Sequence, residues 1–182
     1  MITIKTDYVT ATVFEHLLSA LTWENNLVLS VSLVTGLRLS DVLNLRTSDL
    51  KERMTVRELK TGKTKRIRIP AKLLDELVAV AGKIYVFEHR LDHRKHRTRQ
   101  AVFKDLKRAC EAFRLPKSLV IAPHTCRKIY SVSVFDKACD LKQVQALLNH
   151  SDEAVTVLYA MADKLTEKKL TTQQKAKLKR LS

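Results

Sequence analysis

The sequence predicts a mainly helical domain with one small antiparallel β-sheet, an α+β fold. Most segments place apolar residues three and four positions apart, which is the spacing of one face of an α-helix. Residues 54–69 instead alternate in the manner of two strands around a glycine. A hydrophobic fraction of 45% with only three glycines and three prolines is typical of a globular, helix-rich protein.

The N-terminal segments predict two helices. The stretch "VTATVFEHLLSAL" (9–21) follows a helical pattern, and Thr10 is a favourable N-cap. The stretch "ENNLVLSVSLVTG" (24–36) is predicted to be a buried helix that ends at Gly36. Trp23 and most leucines and valines are expected in the core.

A short helix and a β-hairpin are predicted next. Ser40 is expected to cap a helix through "DVLNLR", with Asp41 in the electropositive first turn. The segments "MTVREL" and "KRIRIP" alternate as strands do, and the intervening "KTGKT" contains a turn glycine.

Helical patterns return in the second half of the chain, but one segment interrupts them. The stretch "EHRLDHRKHRTR" is too charged to pack, so a solvated loop or a DNA-facing segment is predicted there. Its His89, His93 and His96 suggest zinc as an alternative, although four neighbouring basic side chains would repel a dication. The predicted helices cover about 71–81, 98–113, 124–138, 141–148, 152–161 and 163–180.

The charge balance indicates a polyanionic partner. Lysine plus arginine number 34 and aspartate plus glutamate 19, which gives a net charge of +15. Nucleic acid fits this charge better than a membrane surface, and a ribosome-associated or merely basic protein is the alternative. No apolar run approaches the ~20 residues of a membrane span, and the N-terminus has no signal-peptide pattern. Three cysteines without C-x-x-C spacing indicate reduced thiols and a cytoplasmic protein.

The stretch "LLNHSDEAVTVLYA" contains a histidine and a tyrosine that could share one site. On an unbroken helix, His150 and Tyr159 would point to opposite faces, since nine residues make two and a half turns. Ser151 is a good N-cap, so a break just after His150 would let the two side chains converge. Taken alone, a surface histidine and a core tyrosine are the more ordinary interpretation.

Two arginines occur in similarly suggestive surroundings. In "PHTCRKIYS", His124 and Arg127 lie on one face at a helix start, where backbone N–H groups favour an anion. In "TGLRLS", Arg38 is expected to be partly buried and therefore to need an anion. A structural salt bridge to Asp41 or Asp49 is the alternative for Arg38.

Together these residue types suit phosphodiester chemistry. Arginines bind the non-bridging oxygens and stabilise the extra charge of the transition state. An activated tyrosine can attack phosphorus, histidines can move protons, and a lysine in the hairpin turn can protonate the leaving 5′ oxygen. The sequence has no cluster of carboxylates to hold Mg²⁺, so no metal or other cofactor is expected.

In order and spacing, these motifs resemble the catalytic domain of the tyrosine recombinases, the phage integrase family. The resemblance rests on "TGLRLSDVLNLRTSDL", "ELKTGKTKRIRIP", "PHTCRKIYS" and "LLNHSDEAVTVLYA", and it covers about residues 10–160. It implies that Arg38 and Arg127 bind the phosphate and that Tyr159 is the nucleophile. His124 and His150 would fill the two histidine positions. The same resemblance makes Lys60 the general acid and Asp41 a supporting acid.

The sequence departs from the family pattern at a few positions. Cys126 and Lys128 stand where leucine and histidine are usual, and Asn149 stands where glycine is common. These changes affect packing more than chemistry. The hairpin also contains Lys63 and Lys65, so the choice of Lys60 rests on its place in the motif.

The resemblance implies a single catalytic domain over residues 1–182, with its core at about 10–160. The basic tail, 161–182, is expected to be helical and to dock on a neighbouring protomer. An N-terminal core-binding domain is not expected in this chain, which would be either a catalytic fragment or a compact single-domain recombinase.

The function implied is that of a site-specific DNA recombinase acting through a 3′-phosphotyrosyl intermediate. Its partner would be double-stranded DNA, with a homo-tetramer on two DNA sites and a monomer without DNA. Accessory DNA-bending proteins are a further option. The alternatives are a type IB topoisomerase and a non-catalytic DNA-binding regulator with the same fold.

Overall fold

The computed structural model describes residues 6–138, and it confirms a mainly helical fold with small antiparallel sheets. The helices predicted at 141–148, 152–161 and 163–180 lie outside the described residues. The chain divides into two units, Met1–Tyr130 and Ser131–Ser182, and the described part of the second is the C-terminal part of α6. The elements are α1 (Ala11–Ser19), α2 (Trp23–Thr35), α3 (Leu39–Leu43), β1 (Arg53–Arg57), β2 (Thr64–Arg68), α4 (Ala71–Val80), β3 (Glu88–His89), β4 (Asp92–His96), α5 (Arg99–Ala112) and α6 (His124–Ala138).

The first two helices begin and end as their sequences predict. The Thr10 hydroxyl caps α1 by accepting a hydrogen bond from the backbone N–H of Val13 at 3.4 Å. Gly36 ends α2 in the left-handed conformation, with φ +66°. The core prediction for Trp23 is wrong: its side chain is 54% exposed, because it occupies the first position of α2, before the buried face of that helix begins.

Helix α2 lies at the centre of the first unit. It packs against α1, α3, α4 and α5. The apolar side chains of its middle turns, including Leu27, Val28 and Val31, are fully buried. The other elements therefore assemble around a helix that is apolar on most sides.

Helix α3 starts two residues earlier than predicted. Its N-cap is Arg38 rather than Ser40, because the extended backbone of Arg38 directs its carbonyl to the N–H groups of Asp41 and Val42. The helix already ends at Leu43. Asp41 lies in the first turn, as predicted.

The predicted β-hairpin is present. Strands β1 and β2 are antiparallel, with Met54 opposite Ile67, and both of these side chains face the core. The turn that joins the strands contains Gly62 at φ +68°. Alternate positions on the other face are exposed, so the hairpin covers the core with one side.

The charged stretch at residues 88–96 is a second hairpin, so the prediction of a loop is wrong there. Strands β3 and β4 pair Glu88 with His96 and His89 with Asp92, with an irregularity between the two pairs. A contact at the base helps to order this hairpin, because the ring of His96 meets the ring of Tyr85 edge to face, with ring centroids 5.4 Å apart.

No helix in the described part of the chain has the length and apolar character needed to cross a membrane.

Candidate active site

Four of the sequence-predicted site residues line one groove in the first unit. The groove has a volume of about 410 Å³, and none of the described residues that line it is acidic. Its walls come from the α2–α3 connection, the β1–β2 turn and the N-terminal ends of α5 and α6. The lining residues are Arg38, Leu39, Ser40, Leu59, Lys60, Arg99, Phe103, Pro123, His124 and Arg127.

Arg38 is held by the tight connection between α2 and α3. The Ser32 hydroxyl donates to the carbonyl of Leu37 at 2.8 Å, and the backbone N–H of Leu37 donates to the Thr35 hydroxyl at 3.2 Å. These bonds fix the backbone on the N-terminal side of Arg38. The Arg38 side chain is 13% exposed, so its guanidinium needs an anionic partner.

That partner is Glu58, not Asp41 or Asp49 as the sequence suggested. Nη1 of Arg38 donates to Oε2 of Glu58 at 2.9 Å, and the Thr61 hydroxyl donates to the same oxygen at 2.7 Å. Burial would raise the pKa of Glu58, but the Thr61 hydrogen bond and the charges of Arg38 and Arg127 together lower it below its ordinary value. Glu58 therefore stays ionised and holds Arg38 in place.

Asp41 connects α3 to the turn that carries Lys60. Its carboxylate is buried, and Oδ1 accepts a hydrogen bond from the backbone N–H of Leu59 at 2.9 Å. Because Leu59 directly precedes Lys60, this bond fixes the backbone beside the predicted general acid. Asp41 thus ties the first turn of α3 to the backbone of the hairpin turn, and its supporting role stays a prediction.

The three hairpin lysines lie in different surroundings. Lys60 is exposed and lines the groove, whereas Lys63 is exposed but does not line it. Lys65 points into the protein, where Nζ donates to the carbonyl of Thr35 at 2.8 Å and lies 4.9 Å from the ring centroid of Tyr130. Lys65 thus neutralises the C-terminal end of α2 rather than facing the groove.

The first turn of α6 supplies the opposite wall. His124 is exposed in the groove, one residue after Pro123, at the positive end of the helix dipole. Arg127 is 2% exposed, and its Nη1 donates to the carbonyl of Gly36. The short connection between α2 and α3 therefore carries Arg38 and also holds Arg127 through the Gly36 carbonyl.

The N-terminal segment fixes the entry into α6. The backbone N–H of Val120 donates to the Asp7 carboxylate at 2.7 Å, and the Thr125 hydroxyl donates to the Asp7 carbonyl at 3.2 Å. Lys128 is buried, and its Nζ donates to the carbonyl of Thr6. The lysine that stands at a position where the family has histidine is thus part of the packing of α6.

Two groove residues on α5 were missed from the sequence. Arg99 is the first residue of α5, and Phe103, one turn later, is 42% exposed. Thr98 fixes this helix start by accepting from the backbone N–H of Ala101 at 3.2 Å. The sequence signal that could have identified Arg99 is an arginine directly after the N-cap Thr98, but only the tertiary structure brings that arginine to the groove.

The remaining predicted site residues, His150 and Tyr159, lie outside the described residues. The chain has four tyrosines, and the three in the described part, Tyr8, Tyr85 and Tyr130, do not line the groove. Burial raises the pKa of Tyr130, and the nearby Arg127 charge opposes this only in part. Within residues 6–138, no group of three histidine, cysteine, aspartate or glutamate side chains could hold a metal ion.

Comparison with known proteins gives a family match over most of the chain. The sequence profile described as the phage integrase family matches residues 7–165. A tyrosine recombinase of Thermosipho africanus (strain TCF52B) is 29% identical over 165 residues, which cover 84% of this chain and 56% of that protein. The chain therefore spans little more than half the length of this curated relative.

Solved structures support the same fold. The lambda integrase dimer bound to a COC′ core site, built from residues 75–356, superposes with a TM-score of 0.69 at 20% identity. The match covers 87% of this chain and 60% of that one. The lambda integrase catalytic core gives a TM-score of 0.65 at 21% identity, covering 79% of this chain and 91% of that one.

Proposed function

Because the chain belongs to the phage integrase family, we propose that the protein is a site-specific DNA recombinase. The proposed reaction cleaves and rejoins double-stranded DNA through a 3′-phosphotyrosyl intermediate. The observation that carries the proposal is the shared groove, in which Arg38, Lys60, His124 and Arg127 converge. Among the described residues, the groove lining has no acidic side chain, and it combines three guanidinium groups, an ammonium group and a helix N-terminus, a set that suits a phosphodiester.

In the proposed mechanism, the two arginines bind the non-bridging oxygens of the scissile phosphate. Their attraction grows as negative charge accumulates on the pentacoordinate phosphorus, so they stabilise the transition state more than the bound substrate. Glu58 holds Arg38, and the Gly36 carbonyl holds Arg127, so neither side chain has to be ordered when DNA binds.

Tyr159 is the proposed nucleophile. Its phenol oxygen forms a bond to phosphorus, while the bond from phosphorus to the 5′ oxygen breaks. A histidine, His124 or His150, accepts the phenol proton, and Lys60 gives a proton to the departing 5′ oxygen. The position of the other three tyrosines away from the groove supports this choice.

Rejoining reverses these steps. A 5′ hydroxyl from a partner duplex attacks the phosphotyrosine, the phenol leaves, and it takes back a proton. The number of phosphodiester bonds is conserved, so the exchange needs no external energy source. A homo-tetramer on two DNA sites would supply the partner strands, and the bound lambda integrase dimer supports assembly of protomers on DNA. A cytoplasmic location fits this substrate.

A nicked suicide duplex tests the proposal. In such a substrate the short fragment with the 5′ hydroxyl diffuses away after cleavage, so the covalent protein–DNA adduct accumulates. We expect an adduct with the wild-type protein that withstands denaturation, and none with Tyr159→Phe. Equal adduct yields from the two proteins would refute the assignment of the nucleophile.

A further inference from the structure

The β3–β4 hairpin, residues 88–96, carries an exposed group of basic side chains that the proposed chemistry does not use. Arg90, Arg94 and Lys95 are exposed, and Leu91 at the tip is 87% exposed. Among the described residues, Arg90 and Arg94 form no ion pair with a carboxylate, and Nζ of Lys95 is 3.0 Å from Oδ2 of Asp92, whose side chain is 33% exposed. Surface pairs of this kind stabilise a protein little, so all three cations can contact a polyanion.

The base of the hairpin is firmly attached to the helices. Directly after β4, Nε of Arg97 donates to Oδ1 of Asn25 at 2.7 Å, and Nδ2 of Asn25 donates to the Asp105 carboxylate at 2.7 Å. The Thr22 hydroxyl and backbone N–H donate to the same carboxylate oxygen. This network joins the hairpin to α2 and α5, so a rigid base supports an exposed tip.

The hairpin also leads directly into the candidate active site. His96 ends β4, and Arg99, which lines the groove, is only three residues further on. Arg99 lies eight positions after Leu91, so the tip is within about 28 Å of Arg99 even for a fully extended chain. A duplex rises about 3.4 Å per base pair, so this reach corresponds to about eight base pairs.

From this arrangement we propose that the β3–β4 hairpin is a DNA-binding arm, whose Arg90, Arg94 and Lys95 contact backbone phosphates beside the cleavage site. The inference rests on the proposed function only in taking the groove as the place where DNA is cleaved. The arm provides charge and position without reading bases, so it should increase the affinity for any sequence. Phosphate contacts of this kind release counterions, which makes their contribution dependent on salt.

A charge-matched pair of triple variants tests the arm. The first is Arg90→Gln/Arg94→Gln/Lys95→Gln. The control, Lys51→Gln/Arg53→Gln/Arg66→Gln, also removes two arginines and one lysine, all of them exposed, from the β1–β2 hairpin and the bend just before it. Fluorescence anisotropy with a random-sequence duplex of about 30 base pairs gives Kd and its salt dependence without requiring cleavage.

We expect the arm variant to bind at least about tenfold more weakly at moderate salt than the control. The slope of log K against log salt should become shallower by about 2–3, since each lost phosphate contact removes about 0.9. Equal losses in the two variants would mean a diffuse basic surface, and no loss in the arm variant would mean that the hairpin serves another partner. Either result overturns the proposal.

A second measurement locates the arm on DNA. An iron chelate that cuts DNA by hydroxyl radicals is attached at Leu91→Cys, in a background with Cys110→Ser and Cys139→Ser, and the protein is trapped on the suicide duplex. The cuts should fall within about eight base pairs of the covalently held phosphate. Absence of cuts in a trapped adduct contradicts the arm, whereas absence of any adduct contradicts the proposed function and leaves the anisotropy result to decide on the arm.

Discussion

Replacing Gly36 with alanine tests how closely the connection between α2 and α3 is packed against α6. Gly36 has φ +66°, and a Cβ built on it would lie 2.3 Å from Cδ1 and 2.5 Å from Cε1 of Tyr130. The left-handed backbone destabilises an alanine by about 1–2 kcal/mol. Displacement of a packed ring adds about 1–3 kcal/mol. We therefore expect the free energy of unfolding to fall by about 2–5 kcal/mol.

Gly62→Ala is the matched control. Gly62 has φ +68°, but the nearest atom to its added Cβ is Nη2 of Arg57, at 4.0 Å. This variant has the backbone penalty without the clash, so it should lose only about 1–2 kcal/mol. For a chain of this length, 1 kcal/mol corresponds to about 2–4 °C in Tm. Differential scanning fluorimetry should therefore show a drop in Tm of about 4–20 °C for Gly36→Ala and about 2–8 °C for Gly62→Ala.

A double variant separates the clash from the backbone effect. Tyr130→Ala removes the ring that the new methyl group would meet, so Gly36→Ala should be less damaging in that background by about 1–3 kcal/mol. Equal losses for the two glycine variants, or full additivity in the double variant, would refute the close packing of Tyr130 on Gly36.

Three further predictions concern the site. Asp41→Ala should slow cleavage by about 10–100-fold because the backbone N–H of Leu59 loses its acceptor. Asp41→Asn keeps an acceptor oxygen, so its cleavage rate should fall by less than about tenfold. Single-turnover cleavage rates compare the two variants. The pKa of Glu58 is lowered in the folded state from 4.5, so the stability it contributes is present above that value and is lost as the pH falls through the folded pKa. The difference in Tm between wild type and Glu58→Gln should therefore be larger near about pH 6 than near about pH 3, and a constant difference would contradict this reasoning. A 5′-bridging sulfur at the cleavage site leaves without a general acid, so it should restore cleavage by Lys60→Ala, and Lys63→Ala should need no such rescue.

Local sequence signals predicted most helices and the first hairpin. Thr10 and Gly36 mark the ends of helices through their own backbone preferences, so they could be located without tertiary information. The strands of the first hairpin were found because their apolar side chains alternate, as the buried pair Met54 and Ile67 shows. Features that depend on neighbouring residues were therefore predictable.

Features that depend on distant contacts were not predictable. Glu58 lies 20 residues from Arg38, and only the packing of the hairpin turn beside α3 brings the two together, whereas the acidic residues nearer to Arg38 in the sequence are Asp41 and Asp49. The second hairpin is rich in charge and lacks an apolar pattern that would mark its strands. Its base is fixed instead by contacts with distant residues, such as that of Arg97 with Asn25. The position of Arg99 beside the groove likewise requires the packing of α5 on α2.

The most direct test of the account uses a neutral phosphate. Replacing one non-bridging oxygen of the scissile phosphate by methyl removes the charge that Arg38 and Arg127 are proposed to neutralise. Cleavage rates on the phosphate and the methylphosphonate are then compared for wild type, Arg38→Ala and Arg127→Ala in single turnover. We expect the defect of at least one arginine variant to shrink by about tenfold or more on the neutral substrate, which corresponds to about 1.4 kcal/mol of transition-state stabilisation. Defects of the same size on both substrates would contradict the claim that these arginines act on the phosphate charge.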